Sequence, residues 1–177
     1  EGPYQSALQN VADNGLEDKI EVRLANGLAA FEPTDCISCI TIAGMGGRLI
    51  GDILAAGLEK LAGVSRLVLQ PNNREDELRA WLVDHDFRIV DEAILEENEK
   101  FYEILVVEQG SQELTAKELR FGPYLMREQA PAFVQKWSKE VEKLAFALEQ
   151  VPVENQSARA SLEERIAHIK EVLHVSK

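Results

Sequence analysis

Ile37-Ser38-Cys39-Ile40-Thr41-Ile42-Ala43 runs directly into Gly44-Met45-Gly46-Gly47. The first seven residues are a nearly unbroken apolar run, the pattern of a strand buried on both faces of a parallel sheet. Three glycines in the next four positions let a ligand approach the backbone closely and free backbone N–H groups at a helix start. A helix is expected from about 47 to 61, carrying Leu49, Ile53, Leu54 and Leu58. Strand, glycine turn and helix are the repeating unit of α/β sheets, which bind ligands at the carboxyl ends of their strands. The turn is not G-x-G-x-x-G, and no Gly-Lys-Ser/Thr follows to make a P-loop. Taken alone it also fits a tight strand–helix packing turn.

Upstream, residues 3–14 read as a helix between Pro3 and Gly15. Residues 19–25 alternate in polarity and read as a strand ending at Asn26-Gly27-Leu28, with a poorly defined helical segment over 26–32. The Asn26 amide can hydrogen-bond an adenine edge, and Gly27 tolerates positive φ. Downstream, residues 66–70 form a short buried strand ending at Gln70-Pro71-Asn72-Asn73-Arg74. Asn72 or Asn73 is placed to cap the next helix, which runs to about Asp84. Residues 87–96 and 101–108 are strands joined by the polar turn Glu97-Asn98-Glu99, too short for a helix, so an antiparallel hairpin is expected. The strands at 19–25, 37–43 and 66–70 should be parallel, and 101–108 antiparallel to its neighbours. A sheet with only these strands is lopsided, so further strands are expected ahead of Glu1.

The 177 residues are 45% hydrophobic and 28% charged, ordinary for a globular protein. No apolar run approaches the roughly 20 residues that span a bilayer. Cys36 and Cys39 form C-x-x-C. Residues three apart on a strand face opposite ways, and neither a second pair nor a histidine lies nearby. They read as buried reduced core thiols rather than a metal site, which suits a cytoplasmic setting. No Ser/His/Asp set is visible, and His85, His168 and His174 fall on helical segments away from the three turns.

The net charge of −12 argues against nucleic acid, but it is unevenly spread. Residues 115–177 carry 10 Lys and Arg against 9 Asp and Glu, whereas the rest carries 9 against 22. From about residue 112 the apolar period changes. Phe133, Trp137, Val141, Leu144, Leu148 and Val151 recur every three or four residues between Pro131 and Pro152, and Leu162, Ile166, Ile169 and Leu173 follow suit. Two such stripes joined by a short polar link predict an antiparallel helical hairpin. The chain therefore divides into 1–111, a sheet domain, and 112–177, a helical, coiled-coil-like domain. Lys136, Lys139, Lys143, Arg159, Arg165 and Lys170 lie off the apolar stripes and are candidates for contact with RNA phosphates.

Ile42-Ala43-Gly44-Met45-Gly46-Gly47, Leu69-Gln70-Pro71-Asn72-Asn73 and Phe101-Tyr102-Glu103-Ile104-Leu105-Val106-Val107, with Ala25-Asn26-Gly27-Leu28 upstream, resemble the bacterial tRNA (adenine-N1)-methyltransferases that modify adenine 22. The resemblance implies a Rossmann-like class I methyltransferase sheet, N-terminally truncated, with a C-terminal helical hairpin. It implies S-adenosyl-L-methionine as donor, tRNA as substrate and no metal. It places Asn26, Gly27 and Leu28, with Ala43 and Gly44, at the cofactor. Gly44, Met45 and Gly46, with Asn72 and Asn73, are the implied positioning groups for the target base. The family's first strand, its acidic glycine-containing loop and its ribose-binding acid would precede Glu1. Adenine N1 has an in-plane lone pair, so direct displacement at the sulfonium methyl needs no metal and no covalent enzyme intermediate. Two rival readings are a nicotinamide-dependent oxidoreductase, disfavoured by the terminal hairpin, and a non-catalytic RNA-binding scaffold. The oligomeric state is open.

Overall fold

The computed structural model of the chain describes residues 2–174. Helix α1 (Gly2–Asp13) leads through an extended segment and two 3-10 turns (Gly27–Ala30 and Pro33–Asp35) into β1 (Cys39–Met45). Then follow α2 (Gly47–Ala55), a 3-10 turn (Leu58–Gly63), β2 (Arg66–Pro71) and α3 (Glu75–Asp84). The hairpin β3 (Phe87–Glu97) and β4 (Lys100–Gln109) comes next, then α4 (Ala116–Phe121), α5 (Pro123–Glu128), α6 (Pro131–Gln150) and α7 (Gln156–His174). The sheet order is β1-β2-β4-β3. β1 and β2 are parallel, and β4 runs antiparallel to both β2 and β3.

The inner strands alternate as a sheet with helices on its face requires. Leu67 and Leu69 of β2 and Leu105 and Val107 of β4 are buried against Ile50 and Leu54 of α2 and Leu78 and Leu82 of α3. Each such side chain contributes about 1.5–3 kcal/mol relative to exposure. A second cluster holds Phe121, Leu125, Phe133, Trp137, Leu144 and Ile169. The two interlock: Leu114 and Tyr124 pack on the first, and Ile94 of β3 packs on the second.

Several expectations are corrected. Residues 20–25 form no strand, and Ile20 and Leu24 are 45% and 64% exposed. Alternation makes a strand only where a neighbour completes the hydrogen bonds, and this segment joins no sheet. It is held instead by Arg23, which donates to Ala30 O and ion-pairs with Asp35. β1 is an edge strand, so its expected burial on both faces fails and its residues are exposed or half-buried. Cys39, at its start, is accordingly exposed, and Cys36, at the end of the 3-10 turn before it, is exposed as well, so neither is a core thiol. The helix after the glycine turn ends at Ala55 and gives way to a 3-10 turn. Neither Asn72 nor Asn73 caps α3; the cap is Arg74 in a left-handed conformation, with no side-chain cap bond. Helices α4 and α5 were not anticipated from the sequence. The 3–14 helix, the hairpin and the two long tail helices form where expected, and α6 and α7 pack together.

A buried ion cluster locks the tail to the sheet. Arg79 of α3 is fully buried; it donates to Glu92 of β3 at 2.8 Å, to Glu103 of β4 and to Leu119 O at the end of α4. Glu92 in turn accepts from the backbone N–H of Tyr124 in α5. Lys136 of α6 bridges Glu103 and Glu75 at 2.7 and 2.9 Å. Burial pushes Glu92 up despite Arg79. Burial also works against charged Lys136, but Glu103 and Glu75 outweigh it and hold its pKa above the ordinary value.

Candidate active site

Two turns meet side by side at the carboxyl ends of β1 and β2. Ala43 pairs with Gln70 and Met45 with Pro71, so Gly44 is an extra residue bulged out of the ladder. Pro71 has no N–H to give the ladder, and Gly44 takes φ +78°, which a residue with a side chain adopts only with strain. The Gly44 N–H leaves the ladder and donates to Gln70 Oε1 at 2.9 Å. The turns are then stitched backbone to backbone: Asn72 N–H donates to Met45 O at 2.7 Å, and Gly47 N–H to Asn73 O at 2.9 Å. A Cβ on Gly47 would lie 2.4 Å from Arg74 O, and one on Gly46 would lie 3.0 Å from Asn73 Oδ1. The packing-turn reading therefore describes Gly46 and Gly47, whereas the space beside Gly44 is open.

Two cavities open on these turns. One, of about 380 Å³, is lined by Gly27, Leu28, Phe31, Ala43, Met45 and Ile53. Its apolar walls suit the flat face of a nucleoside. Gly27 adopts φ +55°, and Asn26 borders the adjoining surface with Gly27 and Leu28. The residues implied for the cofactor, Asn26, Gly27, Leu28, Ala43 and Gly44, thus sit around one end of β1. Their chemistry fits the adenosyl part of S-adenosyl-L-methionine: an amide for a base edge and an apolar floor.

The second cavity is a groove of about 630 Å³ between the Asn72-Asn73 turn and the tail. Asn72, Asn73, Glu75 and Phe101 line one side, with Arg120, Lys136, Lys139, Lys143 and Arg165 on the other. The Lys139 ammonium lies 5.1 Å over the Phe101 ring. Burial, and then the nearby Arg165 charge, push the Arg120 guanidinium below its usual range. Four of the six tail cations singled out from sequence meet here. Lys136 is already held by two carboxylates. Arg159 lies elsewhere, donating to Leu148 O and Val151 O at the end of α6, and Lys170 is exposed outside the groove.

Gln70 stands in the amide turn but received no role of its own from the sequence, and Arg120 was not singled out at all. A signal existed for Gln70, a polar residue closing the apolar run Leu67-Val68-Leu69. Arg120 had none, because α4 carries no readable period. His85 stacks on Trp81 at 4.1 Å, a packing role. Among the described residues, no His, Cys, Asp or Glu group could hold a metal ion.

A Rossmann-like sheet closed by an antiparallel hairpin, with an apolar cavity at the end of β1 and a cation-lined groove at the turn after β2, has a class I methyltransferase architecture. The family model described as tRNA (adenine(22)-N(1))-methyltransferase, TrmK, matches residues 1–171. The Bacillus subtilis (strain 168) tRNA (adenine(22)-N(1))-methyltransferase is 36% identical over 184 residues, covering 98% of this chain and 77% of that protein. The crystal structure of Streptococcus pneumoniae Sp1610 superposes with TM-score 0.95 at 66% identity, covering 98% of this chain and 78% of that one. Its complex with S-adenosyl-L-methionine superposes at 0.90 and 64% identity, with the same coverage. M. capricolum TrmK bound to S-adenosyl-homocysteine superposes at 0.80 and 25% identity, covering 99% of this chain and 78% of that one. The chain belongs to the TrmK family of tRNA (adenine(22)-N(1))-methyltransferases. Membership sets aside the oxidoreductase and scaffold readings.

Proposed function

We propose that this chain carries its family's activity, transfer of the methyl group of S-adenosyl-L-methionine to N1 of adenine 22 in tRNA, and divides the work between its two ends. Residues 1–111 hold the donor and target base, and 112–177 hold the body of the tRNA. The bound cofactor supplies a sulfonium methyl, an electrophile that needs no further activation. Adenine N1 attacks with its in-plane lone pair, and the positive charge passes from sulfur to the methylated base. No proton has to be removed. What remains for the protein is alignment and exclusion of water.

Asn26, Gly27, Leu28 and Ala43 hold the adenosyl group. Met45, Gly46, Asn72 and Asn73 receive an adenine rotated out of the tRNA stack. Because the Gly44 N–H is bonded to Gln70, Gly44 serves by leaving space rather than by donating. Lys139, Lys143, Arg120 and Arg165 meet phosphates. Lys136 serves first to dock the tail, since both of its carboxylate partners are within 2.9 Å. No helix of the described residues is long and apolar enough to cross a membrane, in keeping with a cytoplasmic tRNA partner.

The observation that carries this reading is that the apolar cavity is lined by the end of β1 and the cation-lined groove by the turn after β2, two turns stitched together backbone to backbone. The test is to separate the halves in the intact enzyme. Asn26→Ala should weaken S-adenosyl-L-methionine binding about tenfold, the loss of one or two hydrogen bonds, and leave tRNA affinity unchanged. Asn72→Ala with Asn73→Ala should lower methylation at saturating cofactor and leave cofactor affinity unchanged. The reverse pattern refutes the division.

A further inference from the structure

The side chain of Gln70 bonds both catalytic turns, and its polarity is dictated by the backbone. Gly44 N–H can only donate, so the oxygen of Gln70 must face it, at 2.9 Å. Pro71 O can only accept, so the nitrogen of Gln70 must face that, also at 2.9 Å. The amide cannot flip without setting donor against donor and acceptor against acceptor. Its second N–H then reaches Asn72 Oδ1 at 3.1 Å. That engages the oxygen of Asn72 and leaves its Nδ2 amino group with no protein acceptor among the described residues, on an exposed side chain at the edge of the groove.

We infer that Gln70 is a positioning residue for methyl transfer: it holds Asn72 so that the substrate base meets an amide donor and not a carbonyl. An adenine offers such a donor its ring nitrogens. N1 must keep its lone pair for the methyl, so N7 or N3 is the partner, and N1 is thereby held in line. A base presenting N–H at the matching position would be refused. The relay runs from the Gly44 bulge through Gln70 to Asn72, so the geometry that makes room beside β1 also orients the group on β2. This rests on the reading of the Asn72-Asn73 turn as the base-holding site.

The test is a double-mutant cycle on the intact enzyme, varying unmodified tRNA and S-adenosyl-L-methionine each at a saturating level of the other, and reading kcat and both KM values. Gln70→Glu keeps an acceptor for Gly44 N–H but loses the donors to Pro71 O and to Asn72 Oδ1. Loss of one oriented hydrogen bond predicts a fall in kcat of about tenfold to a hundredfold, with KM for the cofactor unchanged. Asn72→Ala should cost a similar factor, and the double variant should be no slower than the slower single one. Gln70→Leu, which also abandons Gly44, should lower the melting temperature further than Gln70→Glu. That comparison separates damage to the bulge from loss of the relay. Factors that multiply in the double variant would overturn the relay while leaving the base-holding turn intact. A neutral Asn72→Ala would overturn the base-holding reading itself, and the relay with it.

Discussion

Arg79 is the residue whose removal should report most directly on how the tail is held. Its side chain is fully buried between Glu92 and Glu103, themselves 3% and 1% exposed. Arg79→Met keeps much of the volume and deletes the charge. Breaking a buried pair by removing one partner costs about 3–5 kcal/mol, because the stranded carboxylates have no water to turn to. Here both keep some support: Glu103 keeps Lys136 at 2.7 Å, and Glu92 keeps the Tyr124 N–H at 2.9 Å. The lower end, about 3 kcal/mol, is therefore expected, a large share of the ~5–15 kcal/mol of a typical domain. With a urea dependence of about 2 kcal/mol per molar, the midpoint should fall by about 1.5 M.

The cost must also depend on pH, and its sign is fixed. Burial already raises Glu92, with Arg79 opposing; without Arg79 it rises further. A carboxyl whose folded pKa lies above its unfolded value of about 4.3 destabilises the fold when ionised. The penalty is full above the folded pKa, shrinks as pH falls through it, and is gone below the unfolded value. Urea titrations at pH 7.5 and pH 4.5 should show a clearly smaller gap between wild type and variant in acid. Arg79→Met with Glu92→Gln should recover part of the loss at pH 7.5. A cost below 1 kcal/mol at pH 7.5, or one independent of pH, would refute the view of this cluster as a dry electrostatic clamp.

Gly122→Ala should destabilise by about 1–3 kcal/mol in the same titration, since the glycine sits at φ +83° and a Cβ would lie 2.6 Å from Glu92 Oε2 and 2.8 Å from Arg79 Nη2. Hydrogen bonding from Arg23 and from the Glu32 backbone lowers Asp35 to about 2, so its stabilisation is full above its ordinary value of 3.8 and is lost as pH falls toward 2. An NMR carboxyl titration should show this directly, and Arg23→Met should raise Asp35 toward the ordinary range, with the Glu32 N–H still holding it down in part. Changing Lys139, Lys143 and Arg165 together to Ala should weaken tRNA binding and flatten its dependence on salt by about 0.9 per lost contact, without altering cofactor affinity. Superimposable salt series would remove these residues from the interface.

The periodicities read correctly are those that neighbours enforce along the chain. The hairpin was legible because no helix fits between Glu97 and Lys100, and α6 and α7 because their apolar stripes recur over about five and about three turns. The glycine turn after Ile42 and the amides after Leu69 were legible as site candidates because only ligand contact or close packing calls for such residues at strand ends. Alternation over 19–25 misled because it records only which side chains could face one way. Whether a strand forms depends on a partner's hydrogen bonds, and none reach this segment. Cys36 and Cys39 misled likewise, since an apolar run is compatible with an edge as well as a centre. The short helices α4 and α5 span barely two turns each, too few for a period to show.

The order of α/β elements, the hairpin and the residue types at the strand ends are local properties, and local spacing was enough to read them. Which atom each of those residues offers is not local. Gln70 Oε1 meets Gly44 across 26 positions, and Lys136 meets Glu75 across 61. The first contact takes the Gly44 N–H away from any ligand, and the second gives Lys136, a candidate for RNA contact, a carboxylate partner on the sheet domain. Hydrogen bonds and ion pairs need partners within about 3–4 Å, and such distances exist only after the sheet has brought remote segments together.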